Sequence, residues 1–244
     1  MGAVRQLYAR VPALISAVPL VALLVFAAEM LQHIVEIRLG MYVRGQLGEE
    51  EQATRLIFGA VKVVAIFLAL LFALRWWRFE GDSRRAARPT VALLKGLGIV
   101  LLVQVGGELL VMALGAALGL VLQPEGIAPR IALLAGPVLV WILAATYLYP
   151  WYVGLLTEDR EMTLRRSIDG IKGRLWPSFG LFLAAFLPAM IVHYALGYAA
   201  VGRPEPLVWA LMLVDSAVVA LLALLIASAY YSLYERAVER TGRR

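Results

Sequence analysis

"VPALISAVPLVALLVFAAEMLQHIVE", residues 11–36, is the stretch whose reading decides the fold. From Val11 to Ala28 it carries no charge, and then Glu29, Gln32, His33 and Glu36 arrive within two helical turns. A bilayer core is about 30 Å thick and a helix rises about 1.5 Å per residue, so about 20 apolar residues suffice to cross it. Stretches of this kind recur at roughly 11–34, 56–75, 92–122, 130–153, 176–201 and 207–234. The 244-residue chain is 62% hydrophobic and 16% charged, which leaves too little polar surface to cover a soluble domain. Within hydrocarbon only helices and closed barrels satisfy every backbone group, and these runs are too long and uniformly apolar for barrel strands. The expected fold is all-α, a polytopic transmembrane bundle of six helices forming a single integral membrane domain over residues 1–244.

Arg5 and Arg10 ahead of the first run have the look of a secretory leader. The length of the run, the lack of a small-residue cleavage site before Glu29 and the spans that follow favour a retained anchor. The chain has no cysteine, which removes disulfides, thiolate metal sites and haem attachment. Basic loops stay cytoplasmic. Arg5 and Arg10, then Arg75, Arg78, Arg84, Arg85, Arg88 and Lys95, then Arg160, Arg165, Arg166, Lys172 and Arg174, and finally Arg236, Arg240, Arg243 and Arg244 mark one side. Across the bilayer, Arg38, Arg44, Arg55 and Lys62 are offset by Glu49, Glu50 and Glu51, and the remaining turns hold Arg130 and Arg203. Both termini are therefore expected in the cytoplasm. Trp76, Trp77, Trp151, Tyr152, Trp176, Tyr230, Tyr231 and Tyr234 read as the inner aromatic belt and Trp209 as the outer one.

A basic preface followed by two spans and an outer turn occurs three times, which implies three helical hairpins with amphipathic basic prefaces. Gly115 and Gly119, and Ser216 with Ala220, have the small-xxx-small spacing that lets helices approach closely. Pro137 and Pro188 are the expected kinks.

The candidate site is the intramembrane polar set Glu29, His33, Glu108, His193 and Asp215. Glu29, His33 and Glu36 share one helix face at i, i+4 and i+7, with Gln32 beside them, and Glu108 shares a face with Gln104. Counted from the basic ends, all fall in the outer half of the bilayer. Charge in hydrocarbon is costly, so such groups face the bundle interior, pair, or change protonation state. Three readings compete. Polar glue joins helices at about 1 kcal/mol per bond. A proton or solute path uses the same residue types. A metal site would draw on His33, His193 and the carboxylates. Glue or interface placement is preferred, because Glu29, His33 and Glu36 lie close enough to the outer surface to be partly wet, and the lack of a His-xxx-His or Glu-xx-His repeat makes a weak metal signature. No nucleophile motif, phosphate loop or zinc-protease helix occurs, so neither a catalytic residue nor a cofactor is expected.

"EMTLRRSIDGIKGRLW", residues 161–176, places Leu164, Ile168, Ile171 and Leu175 on one stripe and Arg165, Arg166, Lys172 and Arg174 off it. Such a segment lies along the cytoplasmic surface with its cations toward anionic headgroups, each contributing about 1 kcal/mol. A plain positive-inside connector would look the same. With its continuation to Leu187, and on Arg165, Arg166, Ser167, Lys172, Arg174, Leu175 and Trp176, it resembles YciC-like proteins and the membrane domain attached to some glycerophosphodiester phosphodiesterases. The likeness covers about one sixth of the chain and departs at Pro177, and no soluble phosphodiesterase domain is present in these residues. It implies a bacterial inner-membrane protein of six spans with a role in envelope or lipid homeostasis, and it supplies no catalytic residue.

The expectation is a non-catalytic protein of that kind, or an accessory subunit of a membrane complex. Its partners would be membrane lipids and a second membrane protein or copy of itself, with no nucleic acid. The alternatives are a proton, ion or small-solute carrier or channel built on the polar set, and an intramembrane lipid-modifying enzyme.

Overall fold

The computed structural model describes residues 2–44, 48–123 and 126–242, and among these every regular element is helical. In chain order they are α1 (Ala3–Ala17), α2 (Pro19–Arg38), α3 (Met41–Arg44), α4 (Glu49–Arg78), α5 (Ser83–Ala87), α6 (Val91–Leu122), α7 (Ile127–Thr146), α8 (Tyr149–Leu156), α9 (Leu164–Ile171), α10 (Leu175–Ala200) and α11 (Glu205–Arg240). Helices α2, α4, α6, α10 and α11 are each long and apolar enough to cross a membrane. Residues Gly136–Thr146 of α7 and α8 together make a sixth, bent by 57°. Arg243 and Arg244 of the orientation argument lie outside the described residues.

The run expected to span from residue 11 is divided. Val18 leaves the helical region (φ −141°, ψ 72°) because the following Pro19 disfavours helix at the residue before it, and Pro19 then opens α2. Val11 therefore belongs to α1, a preface whose Leu7, Val11 and Leu14 form one fully buried stripe. The sixth span is broken at a place that was not expected. Pro137 lies inside α7, and the bend falls after Thr146, because Pro150 has no N–H for the Thr146 carbonyl and its ring crowds that oxygen. Pro188 lies within the unbroken α10.

The chain forms two compact units, residues 1–87 with 181–232 and residues 88–180 with 233–244. In the first, α1 is tied down by the Ser228 hydroxyl donating to the Leu7 carbonyl at 2.8 Å and the Tyr8 hydroxyl donating to the Ala184 carbonyl at 2.7 Å. Arg75, read from sequence as a loop cation, is 1% exposed and donates to the carbonyls of Ala86 and Arg85, which holds the end of α5.

In the second unit α6 meets α7 and α8. A Cβ at Gly96 would stand 2.6 Å from the Leu155 carbonyl, so only glycine permits that crossing. Gly115 and Gly119 do face a neighbour, with Leu133 of α7 within 3.8 Å of a Cβ built at either. Most of α6 presents apolar side chains outward, among them Leu102, Leu110 and Leu120, the surface that lipid would cover. Ser167 of α9 bridges the α7–α8 break. It accepts from the Trp151 N–H at 3.1 Å and donates to the Tyr147 carbonyl at 2.6 Å, standing in for the direct helical bond between those two groups.

The aromatic belt is only partly exposed. Tyr152, Tyr231 and Tyr234 are buried while Trp176 is exposed, with Trp77 beside Tyr231 and Asp159 accepting from Tyr234.

Candidate functional site

The site belongs to the first unit, at the end where α2 and α10 finish and α4 and α11 begin. Helix α2 closes on Leu39, and the chain reverses through Gly40 at φ +72°, a left-handed geometry suited to glycine, which turns Tyr42 of α3 back over the helix end. The Gly202 N–H donates to the Tyr42 carbonyl at 2.8 Å, joining this turn to the one between α10 and α11. Helix α4 starts with Glu49, Glu50 and Glu51 in its first turn, where carboxylates favour the helix dipole, and Glu51 accepts from the Gly48 N–H at 2.8 Å.

Counting about 1.5 Å per residue, His193 lies ~10 Å below the end of α10, Glu29 ~13 Å below the end of α2 and Asp215 ~15 Å from the start of α11. At that shared level the carboxylate of Asp215 sits between two imidazoles. His33 Nε2 is 2.9 Å from its Oδ2, and His193 Nδ1 is 2.8 Å from both oxygens. Glu29 Oε1 approaches His33 Nε2 at 3.3 Å. Glu29, His33 and Asp215 are buried, and His193 is partly open with its side chain 22% exposed.

Helix α4 supplies the counter-charges in an antiparallel zipper. Lys62 Nζ lies 3.1 Å from Glu29 Oε2, and Arg55 Nε lies 2.6 Å from Glu36 Oε1. Gly59 lies between them opposite Gln32, whose amide donates to Glu36 Oε1 at 2.8 Å. Glu36 Oε2 also takes His33 Nδ1 and the Tyr42 hydroxyl, each at 2.9 Å. Burial and the adjoining Glu36 carboxylate push the Tyr42 hydroxyl far above its ordinary range, so it stays a proton donor.

Proton accounting gives the site its chemistry. A carboxylate can only accept, so the contact to Glu36 requires a proton on His33 Nδ1. Neutral His33 would then point the Nε2 lone pair at oxygens of Asp215 and Glu29, acceptor against acceptor. That contact is satisfied only by a second proton or by a cation. The cluster is thus built to take up positive charge at one defined point.

These groups line a cavity of about 280 Å³, whose wall also includes Tyr194 and Tyr198 of α10. Both tyrosines are exposed, so the cavity reaches the surface of the unit.

Of the residues read from sequence, Glu29, His33, His193 and Asp215 come together. Glu108 belongs to the second unit, exposed on α6, where Gln104 donates to it at 2.7 Å. Ser216, of the small-residue pair, turns toward α2 with its hydroxyl 3.6 Å from the Met30 sulfur. Arg165 is exposed beside Asp169 at 3.9 Å, Arg166 reaches Glu161, and Lys172 and Arg174 are exposed after α9, whose Leu164 and Ile168 are also exposed. Ile171, expected on that outer stripe, is buried instead.

Sequence reading missed the roles of Arg55 and Lys62, which it assigned to an outer loop, and of Tyr42. The signal was available for the first two. They are seven residues apart, as Glu29 and Glu36 are, and α4 runs antiparallel to α2.

Comparison with protein-family models, with curated proteins and with solved structures finds no match.

Proposed function

We propose that this multi-pass membrane protein is a carrier for a proton, ion or small solute, working through the pocket formed by Glu29, His33, His193 and Asp215. The observation that carries this reading is the placement of Asp215 between imidazoles of α2 and α10, on a surface-reaching cavity within apolar helices. A purely structural contact has no need of a cavity that reaches the surface. The Lys62 and Arg55 ion pairs hold the opposite wall.

The reading places the protein in a bacterial inner membrane with both termini in the cytoplasm. The exposed face of α9, with Leu164, Ile168 and Arg165, would then lie against anionic headgroups.

The test is flux in proteoliposomes under an imposed pH gradient, across a panel of ions and small solutes. Asp215→Asn should abolish flux while the protein stays folded and abundant, and Glu108→Gln should leave it unchanged. Absence of pH-dependent flux for every solute would reject the carrier. A second reading then follows, a non-catalytic envelope or accessory component with the cluster as polar glue. It is favoured by the dense bonding around Glu36, which takes contacts from Gln32, His33, Tyr42 and Arg55.

A further inference from the structure

The geometry points to a binding site for a divalent transition-metal ion of the zinc, cobalt or manganese kind, ligated by Glu29, His33, His193 and Asp215. The inference rests on the carrier reading for its site and deepens it by naming the class of ion.

The first argument is the donor set. Two imidazole nitrogens and two carboxylates from α2, α10 and α11 suit a borderline ion and offer nothing soft for copper(I). Metal–ligand bonds of about 2.0–2.2 Å in a tetrahedron put neighbouring ligand atoms ~3.3 Å apart. The observed separations are 3.3 Å from Glu29 to His33, 2.9 Å from His33 to Asp215 and 2.8 Å from Asp215 to His193. Ligand atoms of Glu29, His193 and Asp215 all lie within 4.8 Å of one another, and His33 Nε2 adjoins two of the three, Glu29 and Asp215.

The second argument is independent of the ligands. Metal-bound histidines give their other ring nitrogen to a carboxylate, which fixes the ring and raises its basicity. His33 Nδ1 has that partner in Glu36 Oε2 at 2.9 Å, and Glu36 is itself held by Gln32, Tyr42 and Arg55. The ring is therefore locked with Nε2 aimed into the cluster. Glu29 Oε1 accepts from the Lys62 ammonium at 3.3 Å and faces His33 Nε2 at 3.3 Å, while the buried Oε2 has no hydrogen bond among the described residues and is available to a ligated ion.

With both imidazoles neutral, a divalent ion together with Lys62 and Arg55 would exceed the Glu29, Glu36 and Asp215 carboxylates by one positive charge, so loading the site favours release of any proton held on the histidines. The ion would occupy the place of the proton between His33 Nε2 and Asp215 and displace any proton on His193 Nδ1, both leaving to water. Binding would thus exchange protons for metal at one site.

The experiment is a cobalt(II) titration of the tag-free full chain in detergent, followed by visible absorbance. The expected result is a single Co²⁺ per chain with the intense bands of a tetrahedral complex, bleached by added Zn²⁺ and not by Mg²⁺. Glu36→Gln, which leaves every ligand in place, should weaken binding about 10–100-fold. His193→Gln, at the partly open position, should remove the tetrahedral bands while the protein elutes as a single folded species. A spectrum identical to free Co²⁺, or bands unchanged by His193→Gln, overturns the site. Proton flux in proteoliposomes without Co²⁺ binding would remove the metal and keep the carrier. Co²⁺ binding without flux of any solute would keep the metal and remove the carrier.

Discussion

At the scale of single residues, Lys62 shows how position changes the meaning of a charge. In the sequence it stands among apolar neighbours just inside a span, and in the fold its ammonium is 3.1 Å from a fully buried carboxylate of Glu29. Removing one partner of such a pair strands the other, a loss of about 3–5 kcal/mol, whereas removing both is far milder. Lys62→Met should therefore destabilise the detergent-solubilised protein by about 3 kcal/mol. Adding Glu29→Gln to it should restore most of the loss, as read from denaturation midpoints. Equal destabilisation of the single and double variants would mean that the pair is not coupled. Glu108 was indistinguishable from Glu29 by depth and residue type. What separates them is which face of the helix meets protein, and in a span apolar all round the pattern of one sequence does not reveal it.

Elements were legible where local chemistry dominates and illegible where two elements share a bond. Apolar length announced α2, α4, α6, α10 and α11, and Pro19 carries enough local force to end α1 before them. The α7–α8 bend was not anticipated, because a proline's effect depends on whether its surroundings repair the ladder. Pro137 is accommodated inside α7, while at Pro150 the helix breaks and Ser167 takes over the bond between Tyr147 and Trp151. Ser167→Ala should leave that N–H and that carbonyl without their partner, at a cost of about 1–3 kcal/mol. Faster hydrogen exchange at the Trp151 amide would accompany the loss, whereas unchanged protection there would rule out the bridging role.

For the whole molecule, placing Arg55 and Lys62 inside α4 takes two cations out of the loop between α2 and α4, which leaves its acidic Glu49, Glu50 and Glu51 more prominent. That sharpens the charge asymmetry, so single cysteines introduced at Gly2 and Gly202 should be labelled from opposite sides of the membrane, the first from the cytoplasm. Labelling of both from one side would defeat the assigned topology. By itself the sequence determined that this protein is helical and crosses a membrane several times, because burying backbone in hydrocarbon demands long apolar helices and composition records their length. Only the tertiary structure decided that Glu29, His33, His193 and Asp215 share one cavity and that Lys62 and Arg55 face them. Those contacts depend on the rotation and register of α2, α4, α10 and α11 about their axes, which apolar packing fixes between segments distant in the chain.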